Sequence, residues 1–127
     1  MQISYNYEYR RLILDSLTKA KLAMEIASDK QADDILLLNV RDLCSFADYF
    51  LLCTADNDRL SDAISEEIGL KIKKADGTIA KYEGKSKEGW LVMDMGDVIV
   101  HIFSPEQRDN YKLEQLWDKG QKLVRIL

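Results

Sequence analysis

GWLVMDMGDVIVHIFSPEQRDNYKLEQLW, Gly89–Trp117, decides the fold of this chain. Trp90–Asp94 and Val98–Phe103 are apolar runs of strand length, separated only by Met95-Gly96-Asp97. A link this short around a glycine joins antiparallel neighbours, so the two runs form a hairpin. Val98, Val100 and Ile102 alternate with Ile99, His101 and Phe103. Both sets are largely apolar, which predicts a central strand covered on both faces. Pro105 suits the first turn of a helix, because it has no amide proton to leave unpaired there. Leu113, Leu116, Trp117, Leu123 or Val124, and Leu127 recur at helical spacing and are expected to form that helix's buried stripe.

Working outward, Ile13, Leu17, Ala20, Met24 and Ala27 predict an amphipathic helix over about residues 9–29. Asp34–Val40 (DILLLNV) and Asp48–Thr54 (DYFLLCT) are continuous apolar runs, as in strands buried on both sides. Asn57 or Asp56 caps a second helix, whose buried face is Leu60, Ile64, Ile68 and Ile72. Asp76-Gly77 ends it, and a short strand follows near Thr78–Glu83. The expected order is α-β-β-α-β-β-β-α: an α/β fold with a mixed, mostly five-stranded sheet flanked by helices. One domain spans residues 1–127, with its core over 34–127.

The chain has 127 residues, 46% of them hydrophobic, enough for one buried core. Its longest apolar runs are too short to span a bilayer, and SYNYEYRR at the start lacks the apolar core of a signal peptide. A soluble, cytoplasmic protein is expected. Cys44 and Cys53 form no C-x-x-C pair, and the single histidine cannot complete a zinc site, so both read as buried reduced thiols. The net charge is −4 and no basic block stands out, which disfavours a grip on nucleic acid and favours a basic protein partner. Tyr5, Tyr7 and Tyr9 alternate near the start without an assignable role.

Asp56 and Asp58 form a D-x-D at a strand end, and Asp94 and Asp97 lie at another. Such carboxylates can hold Mg²⁺, so a metal-dependent nucleotidyl- or phosphotransferase using Asp56, Asp58 and Asp94 is the alternative function. Against it, Ala55 stands where a phosphate loop wants glycine, no Walker motif occurs, and capping and turn roles account for the aspartates. His101 has no acid in sequence reach to orient it as a base and reads as a structural residue. Trp90 is open to two readings, a core tryptophan and an interface anchor rimmed by Asp94 and Asp97.

DYFLLCTADNDRLSDAI (Asp48–Ile64), Glu83-Gly84, GWLVMDMGDVIVHIF (Gly89–Phe103) and R-x-x-Y-x-L-E-x-L-W (Arg108–Trp117) together resemble the Iojap family of ribosomal silencing factors. The resemblance runs from about Asp34 to Trp117. It implies a nucleotidyltransferase-like fold without transferase activity, with no catalytic residue, metal or cofactor. It implies docking on the large ribosomal subunit at ribosomal protein fourteen, which blocks subunit joining and represses translation. A part in large-subunit biogenesis and a homodimer in the free state are also implied; the acidic composition adds the expectation of little or no direct nucleic-acid contact. The partner-binding residues are expected to be Trp90, Asp94, Met95, Asp97, Arg108, Tyr111 and Glu114. The chain departs from the family where T-G-x-S becomes Thr54-Ala55-Asp56-Asn57 and L-D-V becomes Leu38-Asn39-Val40.

Overall fold

The computed structural model describes residues 14–116 and 121–126. Tyr5, Tyr7, Tyr9, Trp117, Leu127 and the first residues of the expected N-terminal helix lie outside that set. The elements are α1 (Ser16–Asp29), β1 (Asp33–Asn39), β2 (Tyr49–Thr54), α2 (Asp58–Asp76) and β3 (Lys81–Lys85). A 3₁₀ turn (Ser86–Glu88), β4 (Trp90–Asp94), β5 (Val98–Phe103), α3 (Pro105–Tyr111), α4 (Leu113–Leu116) and β6 (Gln121–Ile126) follow.

The strands form one sheet in the order β3-β4-β5-β2-β1-β6. β2 and β5 pair in parallel, and every other pair is antiparallel. All residues of β2 and β5 are buried, which is why both strands need apolar side chains on both faces.

Helices α1 and α2 cover one face. Ala20, Ala23 and Ala27 are fully buried, and their small side chains let α1 lie close to Leu37 and Leu51. Ile64, Ile68 and Ile72 repeat every four residues and present one apolar stripe of α2. Each such side chain contributes roughly 1.5–3 kcal/mol on burial. Asn57, rather than Asp56, caps α2 by accepting from the Leu60 amide at 2.8 Å. Gly77 closes it in the left-handed conformation, φ 82°.

The opposite face carries a smaller core of Leu36, Leu38, Phe50, Leu52, Ile99 and Phe103. Leu113 of α4 and Val40, Cys44 and Ala47 of the loop after β1 contribute to it. Trp90 and Val92 border it and stay partly exposed.

The chain end departs from expectation. The single last helix is broken at Lys112, which adopts a left-handed φ of 44°. Leu123 and Val124 belong to a sixth strand, not to a helical stripe. The physical reason is the edge of β1. Ile35, Leu36, Leu37 and Leu38 are fully buried there, and β6 supplies their missing hydrogen-bond partner. Arg125 then clasps Asp34 with two hydrogen bonds of 3.0 Å. The strand expected near Thr78–Glu83 lies slightly later, at Lys81–Lys85.

Candidate docking surface

The hairpin register aligns Glu83 with Val92 and Val92 with His101, and next to them Trp90 with Phe103. Cross-strand partners project to the same side of a sheet, so these side chains share the face away from α1 and α2. Gly89 sets the entry to β4 with φ 82°. A Cβ there would meet Ser104 Oγ at 2.6 Å and Gln107 Cγ at 2.7 Å, so only glycine lets β4 begin against the start of α3. Ser104 donates its amide to the Gly89 carbonyl at 2.8 Å, and its hydroxyl caps α3 through the Gln107 amide at 3.2 Å.

Trp90 thereby meets three aromatic rings. Its indole lies 4.5 Å from Tyr111, 4.9 Å from Phe103 and 6.1 Å from His101, centroid to centroid. Its Nε1–H donates to His101 Nδ1 at 3.2 Å. His101 is buried, and burial pushes its pKa down to about 4. It is therefore neutral near pH 7 and carries its proton on Nε2, which finds no hydrogen-bond partner among the described residues. Phe50 packs edge-on against it at 5.1 Å. His101 is thus a brace for Trp90, in place of the acid partner a general base would need. Tyr111 is 51% exposed and Phe46, beside Phe50, is 63% exposed, so the aromatic cluster continues to the surface.

The seven expected docking residues fall into separate places. Trp90 and Tyr111 pack against one another at the open face, their ring planes tilted by 47°. Asp94, Met95 and Asp97 sit at the hairpin turn, at the far end of β4, roughly 13 Å away by the strand rise of ~3.3 Å per residue. Asp94 accepts from the Gly96 amide at 2.8 Å and so shapes the turn. Met95 is only 3% exposed and packs in the helix-side core. Asp97 pairs with Lys19 at 3.1 Å, and Lys19 also reaches Asp76 at 3.7 Å. Arg108 is buried; it donates to Thr54 Oγ1 at 3.1 Å and pairs with Asp34 at 3.4 Å, bracing α3 against β2 and β1. Glu114 lies in α4, and its side chain is outside the described set.

The carboxylates at the open face are others. Glu83 and Glu88 are exposed, and with Trp90, Val92, Gln107 and Tyr111 they line a groove of about 510 Å³. Neither forms an ion pair among the described residues. The alternating face of β3 could have revealed Glu83, but only once β3 is known to pair with β4.

Asp56 and Asp58 line a separate cleft of about 600 Å³, beyond the ends of β2 and β5. Thr54 pairs with Phe103 while Asp94 pairs with Ile99, so Asp94 belongs to the opposite end of the strands. The trio needed for a transferase metal site is thereby split. Among the described residues no three His, Cys, Asp or Glu side chains are grouped to hold a metal ion.

The sequence pattern of the family described as "Ribosomal silencing factor during starvation" matches residues 14–126. The chain belongs to that family. It is 38% identical over 97 residues to the ribosomal silencing factor RsfS of Bacillus subtilis, covering 76% of this chain and 82% of that one. A crystal structure of a Chromobacterium violaceum protein superposes with a TM-score of 0.78 at 32% identity, covering 90% of this chain and 94% of the other. A more distant relative is the mouse "Mitochondrial assembly of ribosomal large subunit protein 1", 27% identical over 99 residues, which cover 76% of this chain and 43% of that one. Among the described residues of this family member, no helix is long and apolar enough to cross a membrane.

Proposed function

We propose that this chain docks on the large ribosomal subunit, at ribosomal protein fourteen, and blocks joining of the small subunit by occupying space between them. The observation that carries this reading is the Trp90–Tyr111 pair. It stands half-open on a sheet face, held by His101, beside Glu83 and Glu88, which form no ion pair among the described residues. Trp and Tyr on a rigid backbone are the residue types that dominate interface energies. Acidic side chains around them suit a basic protein and oppose neighbouring phosphate. The family description, which names the ribosome, and the relative named for large-subunit assembly are consistent with a ribosomal site of action.

The action is steric and needs no chemistry, so the chain works as a cytoplasmic repressor of translation and not as an enzyme. It need only bind well enough to compete; Kd near 1 µM corresponds to about −8 kcal/mol. Purified large and small subunits mixed with the protein test this on a sucrose gradient. Joined ribosomes should fall and the protein should travel with the large subunit. Undiminished joining at saturating protein overturns the proposal.

A further inference from the structure

Trp90 turns its polar edge inward to His101, which leaves ring surface toward the groove it lines with Tyr111. Val92 adds an apolar wall, and Glu83 and Glu88 bring two carboxylates without a basic partner among the described residues. Gly84, φ 76°, lines the same groove, and a side chain there would collide with the Trp90 carbonyl oxygen. Lys85 lies across the register from Trp90 but does not line the groove.

We propose that this groove receives an arginine side chain of the docked protein. The inference rests on the docking reading and deepens it by naming the chemistry of the contact. A guanidinium is planar and weakly hydrated, stacks on aromatic rings, and presents a fork of donors that matches carboxylates. Its methylene stem packs on apolar surface such as Val92. A lysine ammonium gives up more hydration and offers no plane to stack. An anionic group is repelled by both glutamates. The acids that select the partner are therefore Glu83 and Glu88, not Asp94 and Asp97, which are engaged in the turn and with Lys19.

Two measurements test it. In the first, the Glu83→Gln/Glu88→Gln protein is compared with wild type for binding to purified large subunits across a salt series. A control, Glu25→Gln/Glu66→Gln, removes the same charge from exposed positions on α1 and α2. The groove variant should bind about tenfold more weakly and lose part of its salt dependence, while the control binds nearly as wild type. If wild type binds and the groove variant matches it, the groove assignment falls and the docking reading stands. In the second, a capped tri-arginine peptide is titrated onto ¹⁵N-labelled wild-type protein. The Trp90 indole N–H resonance should shift saturably, less with tri-lysine, and not in the glutamine variant. This arm decides the groove even where wild type fails to bind subunits, an outcome that sinks the docking reading alone. Equal shifts in wild type and variant overturn the arginine proposal.

Discussion

Trp90 donates its indole N–H to Nδ1 of His101, eleven residues on and one strand over, across 3.2 Å. The bond joins the half-buried indole at the start of β4 to a buried imidazole on β5. It converts a flexible surface tryptophan into a fixed one, so less side-chain freedom is lost when a partner docks.

Trp90→Ala should weaken large-subunit binding by at least ~2 kcal/mol, as an interface hot spot does. Trp90→Phe keeps a ring against Tyr111 but loses the bond to His101, and should fall between. Cosedimentation isotherms with large subunits read this, with circular dichroism confirming that both variants fold. An alanine variant that binds as wild type removes Trp90 from the interface.

His101 makes stability depend on pH. Its folded pKa is about 4, below the ordinary 6.5, so between these values the unfolded chain binds a proton that the folded chain refuses. Stability is full above about pH 6.5 and falls as pH drops toward about 4. Urea unfolding should give a stability lower by about 2 kcal/mol at pH 5 than at pH 7. His101→Gln should flatten that slope. Asp76 does not enter this window. Burial raises its carboxyl, but hydrogen bonds from Thr78 and Leu14 and the charge of Lys19 hold it below 3.8. Its contribution is present above 3.8 and is lost as pH falls through the lowered value.

Asp97→Ala removes the nearer acid from Lys19, which is only 4% exposed. Asp76 remains at 3.7 Å, so the loss should be moderate, about 1–2 kcal/mol of stability. Asp97→Lys sets two ammonium groups together and should cost more. Neither change should alter the salt dependence of subunit binding once folded protein is compared. A changed slope would return Asp97 to the docking surface.

Arg108→Leu removes the buried donor to Thr54 Oγ1 and one of the two arginines that pair with Asp34 among the described residues. Stability should drop by roughly 2–3 kcal/mol. Thermal unfolding measures it, and subunit affinity at a temperature where the variant is folded should stay within about twofold, since Arg108 is buried. A large affinity loss with unchanged stability would reverse this assignment.

Much of the architecture was legible without coordinates because local patterns were unambiguous. The continuous apolar runs of β2 and β5, the Gly96 turn, the α2 stripe and the Gly77 cap each follow from side-chain periodicity or backbone strain. The end of the chain was not legible. Lys122–Ile126 is too short to separate a period of 3.6 from a period of 2, and the exposed edge of β1 settled the matter. Of the candidate site, Trp90 stood out as an aromatic at a strand start and Tyr111 only through the family motif, whereas Asp94, Asp97 and Arg108 read as docking charges and are engaged within the fold.

By itself the sequence determined the family, the strand–turn–strand unit and the amphipathic helices, because these depend on neighbours within a few positions. Only the tertiary structure decided that His101 serves Trp90, that Glu83 and Glu88 rather than Asp94 and Asp97 flank the aromatic pair, and that a sixth strand closes the β1 edge. Each of those depends on which strands lie side by side, and register across a sheet is set by burial of the whole face rather than by any one segment.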